Sequence, residues 1–254
     1  MITSFLQGGL GNQLFQIATT ISLALDNDDE AVFDWRNHDL PNQGRECKNY
    51  MTNIFRNLTF SNNLFVKCRY DEPFYNYQKI RYKPNMCLVG YFQSEKYFSK
   101  HAGVIKETFS VDENSLKIIQ EKYGDVLKND PISVHVRRGD YIKYKDFHPP
   151  CSLKYYKKAI EYFPENSTFL VFSDDIEWCK QNFLGDNVRF IDENEDYIDL
   201  YLMSMCKYSI IANSSFSWWA AWLGQSDIVI APKEWFGDSN NNTKDLLLAH
   251  WILL

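Results

Sequence analysis

Between residues 132 and 232, short apolar runs rich in β-branched residues alternate with segments of helical pattern. This alternation confines the chain to a parallel sheet covered by helices on both faces. The strand runs are "ISVHVRR", "TFLVFSDD", "VRFID", "YSIIAN" and "DIVIAP". The helical segments between them are "SLKYYKKAIEYF", "IEWCKQNFL", "EDYIDLYLMSMC" and "SFSWWAAWLG". Ligands of such sheets bind at the carboxyl ends of the strands. The distinctive side chains collect there: Arg137, Arg138 and Asp140 after the first run, Ser173, Asp174 and Asp175 ending the second, and Asn213, Ser214 and Ser215 where a later run meets a helix.

The amino-terminal half carries a weaker form of the same pattern. "ITSFLQ" reads as a strand, "GGLGNQ" as a glycine-rich turn and "LFQIATTISLALD" as a helix, an order that makes a backbone cradle for an anion or a sugar. It is not the dinucleotide fingerprint, because Leu14 stands where a third glycine is required. "AVFDW" is expected as a second strand and "MCLVGYFQSEKYF" as a buried strand running into an aromatic loop with helical segments after it. Residues 36–85 are polar and aromatic without a clear period, and their order cannot be read. "TFSVDENSLKIIQEKYGDVLKNDP" carries the passage between two halves, giving domains at 1–125 and 126–254. "SNNNT" at 239–243 reads as a loop.

Bulk properties narrow the function. A formal charge of −6 over 254 residues argues against a general nucleic-acid binder while leaving room for a local basic pocket. Aromatic residues make up 16% of the chain, with seven tryptophans, which suits either sugar binding or a well-filled core. The six cysteines, at 47, 68, 87, 151, 179 and 206, show neither CxxC spacing nor a zinc-site pattern. The amino terminus has no basic leader, and no run approaches the ~18 apolar residues that span a bilayer. The reading is a cytoplasmic protein with six free thiols, no transmembrane segment, and sequons at Asn57, Asn166, Asn213 and Asn241 that carry no sugar.

An arginine fork pairs two ways with phosphate oxygens and stays charged. "NSSFS" offers hydroxyls and backbone N–H groups at a helix start. Together they form a diphosphate clamp that needs no metal. The plainer alternative pairs an arginine with Asp140 or another acid and makes Ser214 an ordinary helix cap. The aspartates of "SDD" are either ligands for Mn²⁺ or Mg²⁺ or caps of the next helix, and capping is favoured because the arginines already supply the compensating charge. "LDNDDE" at 25–30 reads as a solvated helix end. His38, His101 and His250 read as structural. His135 shares the strand face of Arg137, and His148, in the polar loop beyond the arginines, is a candidate general base or a solvated loop residue.

The blocks "GGLGNQLFQ", "HVRRGDY", "GYFQSEKYF", "DLYLMSMCKYSIIANSSFSWWAAWL" and "IAPKEWF", in this order from residue 8 to 236, resemble the family 11 glycosyltransferases, the α-1,2-fucosyltransferases, in their soluble microbial or viral type. The arginine block is shared with α-1,6- and protein O-fucosyltransferases, and "NSSFSWW" and the Gly-Asn-Gln turn narrow the likeness.

The resemblance implies two Rossmann-like domains facing across a cleft, the GT-B type. It implies inverting transfer of L-fucose from GDP-β-L-fucose to the 2-hydroxyl of a galactose-terminated glycan, with no cofactor and no essential metal. Arg137 matches the arginine that grips the β-phosphate, with Arg138 its structural neighbour. Ser214, Ser215, Phe216 and Ser217, preceded by Asn213, match the block around the phosphates. Asp199 occupies the place of a guanine-reading acid. Gly11, Asn12 and Gln13 form the turn from which Asn12 would reach the donor. Beyond the resemblance, His135 lies beside the donor site, and the base is assigned to His148 or, second, to Asp140. Two alternatives remain open: a metal-dependent nucleotide-sugar transferase using Asp174 and Asp175, and a non-catalytic carbohydrate-binding protein with a tryptophan platform.

Overall fold

The computed structural model describes residues 1–36, 47–224, 226–237 and 242–254. Two compact units emerge, one of residues 1–112 and 241–248, the other of 113–240 and 249–254. The division falls ahead of the expected 125/126 boundary, because the polar passage is itself a helix of the second unit. His38 and Asn241 lie outside the described residues, as does most of "SNNNT".

In the first unit β1 (Ile2–Ser4) leads into α1 (Leu10–Leu25). The helix starts earlier than the sequence suggests, and most of the glycine-rich turn is its first turn. Gly8 adopts φ +76°, a left-handed value that glycine accepts readily, and a Cβ there would come within 2.5 Å of the Asn12 side-chain nitrogen. β2 (Cys68–Asp71) and β3 (Met86–Val89) complete a parallel sheet of order β1-β3-β2, with Ile2 and Cys68 on either side of Met86. α2 (Ala102–Thr108) follows. The expected strand "AVFDW" shrinks to isolated pairings of Ala31 with Ile2 and Phe33 with Phe60. Beyond Phe33 the chain turns, as Arg36 closes back onto the Asp34 carboxylate through its backbone and side chain. The segment from 47 to 58 is held by ring contacts, Tyr50 on Phe55 at 5.3 Å and Phe55 on Phe109 at 6.5 Å. Such contacts leave no periodic trace in the sequence.

The second unit opens with α3 (Glu113–Leu127), then β4 (Ile132–Val136), α4 (Leu153–Ile160), β5 (Phe169–Ser173), α5 (Ile176–Asn182), β6 (Val188–Ile191), α6 (Asp196–Ser204), β7 (Tyr208–Ile210), α7 (Ser215–Gly224), β8 (Ile228–Ala231) and β9 (Ile252–Leu253). The strands lie parallel in the order β6-β5-β4-β7-β8-β9. β9, which the sequence does not announce, adds to the edge through Ile252 opposite Ile230. From β4 the chain winds outward through β5 to β6, then crosses back to β7 and winds the other way. The topological switch point therefore falls between β4 and β7, where open α/β sheets form their ligand crevice.

Every residue of β4 is buried. α4 turns Tyr155 and Tyr156 inward, and their hydroxyls donate to Ile211 O at 2.6 Å and His135 O at 3.1 Å, tying the helix to the strand ends on both sides of the switch point. α7 is apolar almost all round and buries Trp218, Trp219 and Trp222 against one another, with Trp251 at 5.7 Å from Trp218. Trp235 is buried as well, and of the seven tryptophans Trp35 alone is exposed, at 37%. The tryptophan content thus belongs to the core, and the platform imagined for a carbohydrate-binding protein is not formed.

Candidate functional site

β4 and β5 run in register, Val136 opposite Ser173. The residues that follow the two strands therefore emerge side by side, Arg137 and Arg138 next to Asp174 and Asp175. Asp174 forms an ion pair with Arg137 Nη1 at 3.0 Å through one oxygen and accepts from the Arg138 backbone N–H at 2.8 Å with the other. Asp140 takes the remaining terminal nitrogen, Nη2, at 2.5 Å. The Arg137 guanidinium lies over the Tyr141 ring, 5.3 Å from its centre. Arg138 turns away, its Nε on Asp175 at 3.0 Å and its guanidinium 3.9 Å from the centre of the Trp178 ring. Arg138 is thus held in the wall while Arg137, 32% exposed, is presented.

The aspartate pair divides its work. Asp175 caps α5 by accepting the Trp178 N–H at 3.3 Å, as expected, and also holds Arg138. Asp174 caps nothing and instead fixes the arginine turn. Gly139 explains how the carboxylate comes so close: a Cβ at that position would lie 2.4 Å from an Asp174 oxygen. Among the described residues no three His, Cys, Asp or Glu side chains are grouped to hold a metal ion.

The start of α7 lies beside the arginine turn. Tyr141 Oη donates to the Asn213 carbonyl at 3.0 Å, and the Phe216 ring packs 5.5 Å from the His135 imidazole. The arginine turn and the start of α7 are thereby brought together at the switch point. Asn213 is a strut: its amide donates to the Pro149 and Trp235 carbonyls at 3.0 Å each, and its Oδ1 accepts from Cys151. Ser217 is buried, its hydroxyl turned to the Ser214 and Ala212 carbonyls. Ser214 is nearly buried, its carbonyl accepting the Trp218 N–H, and Ser215 begins the helix.

The histidines differ in setting. His135 is buried, its Nδ1 without a partner, and burial first and Arg137 second push its pKa down to about 3, so the ring is neutral. His148 is half-buried rather than solvated. It stacks on Tyr141 at 4.7 Å, meets Phe147 edge-on at 4.6 Å and lies tilted against Phe236 at 5.4 Å. Its Nδ1 is enclosed without a partner, and burial lowers its pKa against the pull of Asp140. The ring is therefore neutral near pH 7. His101 pairs with Asp26 at 3.0 Å and His250 packs on Trp251, both structural roles. Asp26, in the stretch read as a solvated helix end, is thereby one end of an ion pair.

Asp199 stands in the first turn of α6, beside α7. Burial pushes its carboxyl up to about 7 even though Asn194 Nδ2 donates to it at 2.9 Å, and the neighbouring Asp196 and Asp192 add to the rise. Gly11, Asn12 and Gln13 belong to the first unit. Gly11 and Gln13 are buried, Gln13 Nε2 donates to Gly8 O at 3.0 Å, and Asn12 Oδ1 accepts from Gln93 Nε2 at 2.8 Å. A concavity of about 610 Å³ lies at the opposite, amino end of the second sheet, lined by Asp130, Tyr162, Thr168 and Tyr208 among others, and holds none of these residues. The six cysteines carry no disulfide, and no helix among the described residues is long and apolar enough to cross a membrane.

Sequence reasoning missed Asp174 as the brace of Arg137, Tyr141 as the link to α7, and Trp178 as the bed of Arg138. The strand ending in "SDD" was a visible signal, but its pairing with an arginine 37 residues earlier follows only from strand register.

A family model described as "Glycosyl transferase family 11" matches residues 1–254. An α-1,2-colitosyltransferase of Escherichia coli is 33% identical over 99% of this chain and 98% of its own length. The human galactoside α-(1,2)-fucosyltransferase 1 is 32% identical over a shorter stretch, 39% of this chain and 30% of its own. Among solved structures, fucosyltransferase NodZ from Bradyrhizobium superposes with a TM-score of 0.54 over 86% of this chain and 91% of its own, at 15% identity. That likeness shows the fold, of GT-B type.

Arg138→Ala removes a partly buried ion pair and a close cation–ring contact. We expect a loss of about 1–2 kcal/mol in urea unfolding. Wild-type stability would mean that the arginine is not part of the wall.

Proposed function

This chain belongs to glycosyl transferase family 11, and we propose that it transfers L-fucose from GDP-β-L-fucose to the 2-hydroxyl of a terminal galactose. The observation that carries the reading is the placement of Arg137 against the start of α7 at the switch point of the second sheet, through Tyr141 and Asn213. A guanidinium fork and the N–H groups of a helix start suit the two phosphates of a nucleoside diphosphate. The names of its relatives support an α-1,2 linkage and a fucose-like sugar, and the colitosyltransferase makes colitose the second donor sugar to try.

In the proposed reaction the bond between the sugar C1 and the diphosphate oxygen breaks as the acceptor oxygen bonds to C1 from the opposite face. Arg137 meets the negative charge that develops on the departing GDP. The acceptor hydroxyl's proton passes to His148 Nε2, with Asp140 the alternative acceptor. Asp199 accepts from the guanine N1–H and N2–H₂ groups, a pattern open only to the carboxylate form. The reaction needs no metal in this reading, since Asp174 and Asp175 already face arginines.

The deciding assay is transfer from GDP-fucose, and in parallel GDP-colitose, to lactose in excess EDTA. Arg137→Ala should lower kcat by roughly 10²–10³, as for a lost donor to developing charge. Arg137→Lys should recover little, because an ammonium makes no two-pronged contact. An alanine variant within a few-fold of wild type sinks the clamp, and activity that returns only with Mg²⁺ or Mn²⁺ sinks metal independence.

The raised carboxyl of Asp199 gives a pH signature. The carboxyl is half ionised near pH 7, so GDP affinity should level off about a unit above that pH and fall below it, by at most about tenfold per unit. Calorimetry of GDP binding from pH 5.5 to 8.5 reads this directly. An Asp199→Asn variant with an unchanged profile would remove the residue from the base site.

His148, with a lowered pKa, should set an acidic limb of kcat that lies below the ordinary imidazole value of about 6.5. His148→Ala should lose most of kcat together with that limb. If the variant keeps both, the proton goes elsewhere, and Asp140→Asn becomes the variant to test.

A further inference from the structure

The arginine site carries the wrong sign of charge for its proposed ligand. Two guanidiniums, Arg137 and Arg138, face three carboxylates, Asp140, Asp174 and Asp175, so the cluster sums to 2 − 3 = −1. The neighbouring His135 and His148 are held neutral and do not offset it. Both terminal nitrogens of Arg137 already meet a carboxylate. A diphosphate entering this cluster adds negative charge to a negative site, and like charges at such separations repel strongly once partly screened from water.

The two carboxylates on Arg137 are not equally fixed. Asp174 is tied at both oxygens, to Nη1 of Arg137 and to the backbone N–H of Arg138, and sits packed against the Gly139 backbone. Asp140 holds Arg137 through a single oxygen, and is 35% exposed against 26% for Asp174. Moving Asp174 breaks an ion pair and a backbone hydrogen bond and disturbs the turn, whereas moving Asp140 breaks the single ion-paired hydrogen bond to Nη2.

We propose that Asp140 is an exchangeable counter-ion of Arg137: it occupies Nη2 in the empty site and yields it to the diphosphate of the donor, while Asp174 stays bound and keeps the guanidinium aimed. This rests on the reading that Arg137 receives a nucleoside diphosphate. The exchange removes one negative contact as the diphosphate arrives and needs no added cation. It leaves Asp140 unpaired only while donor is bound.

GDP binding by calorimetry, without divalent metal, tests the exchange on wild type, Asp140→Asn and Asp174→Ala, with Asp174→Asn as the milder variant if the alanine fails to fold. Removing a competing ion should tighten GDP binding to Asp140→Asn by roughly 3- to 10-fold. Removing the brace should weaken binding to the Asp174 variant, by roughly 10-fold or more for alanine. Unchanged or weaker binding by Asp140→Asn overturns the exchange. So does equal tightening in both variants, which would reveal only a general field effect. Wild-type binding that appears with Mg²⁺ and not without it shows that a cation neutralises the site, and overturns the exchange while sparing the donor reading. Wild type that ignores GDP with and without Mg²⁺ removes the donor reading, and the exchange with it.

Discussion

The two-oxygen grip of Asp174 is the contact on which the site depends. It joins the ends of neighbouring strands, with one oxygen on the side chain of Arg137 and the other on the backbone of Arg138. A flexible arginine would lose rotamer freedom on meeting a ligand. Here that freedom is removed in advance, and the guanidinium is aimed before any substrate arrives. The grip exists because β4 and β5 are parallel and in register, and because Gly139 leaves room for the carboxylate.

Around this contact the site is stiffened by burial. Tyr155 and Tyr156 of α4 hold the strand ends of β7 and β4 by their hydroxyls, and Tyr141 bridges from the arginine turn to the Asn213 carbonyl. Aromatic rings fill the space beside these links, with His148 among Tyr141, Phe147 and Phe236. Low local polarity keeps both imidazoles neutral and raises the carboxyl of Asp199. The same burial that builds the fold therefore sets which groups carry charge when a substrate enters.

A family assignment and a solved fold narrow the chemistry without fixing the sugar. One full-length relative is a colitosyltransferase, and the likeness to the human fucosyltransferase covers 39% of the chain. In the proposed reading the arginine and serine elements address the diphosphate of the donor, whichever sugar it carries.

How much the sequence determined follows from how local each signal is. The alternation after residue 132 reports burial period residue by residue, so the strands and helices of the second unit, and the clustering of Arg137, Asp174 and Ser214 at strand ends, could be read directly. The first unit was less legible. Its segment from 47 to 58 is held by ring contacts, and its β2, like β9 of the second unit, is a short edge strand defined by its partner. Strand order lay beyond the sequence too, and with it the switch point between β4 and β7. Only the tertiary structure decided that Asp174 braces an arginine rather than capping a helix, that Asn213 is a strut, and that His148 is enclosed by rings. Each of those roles is a contact between residues far apart in the chain, and such contacts are set by register and packing rather than by neighbouring residues.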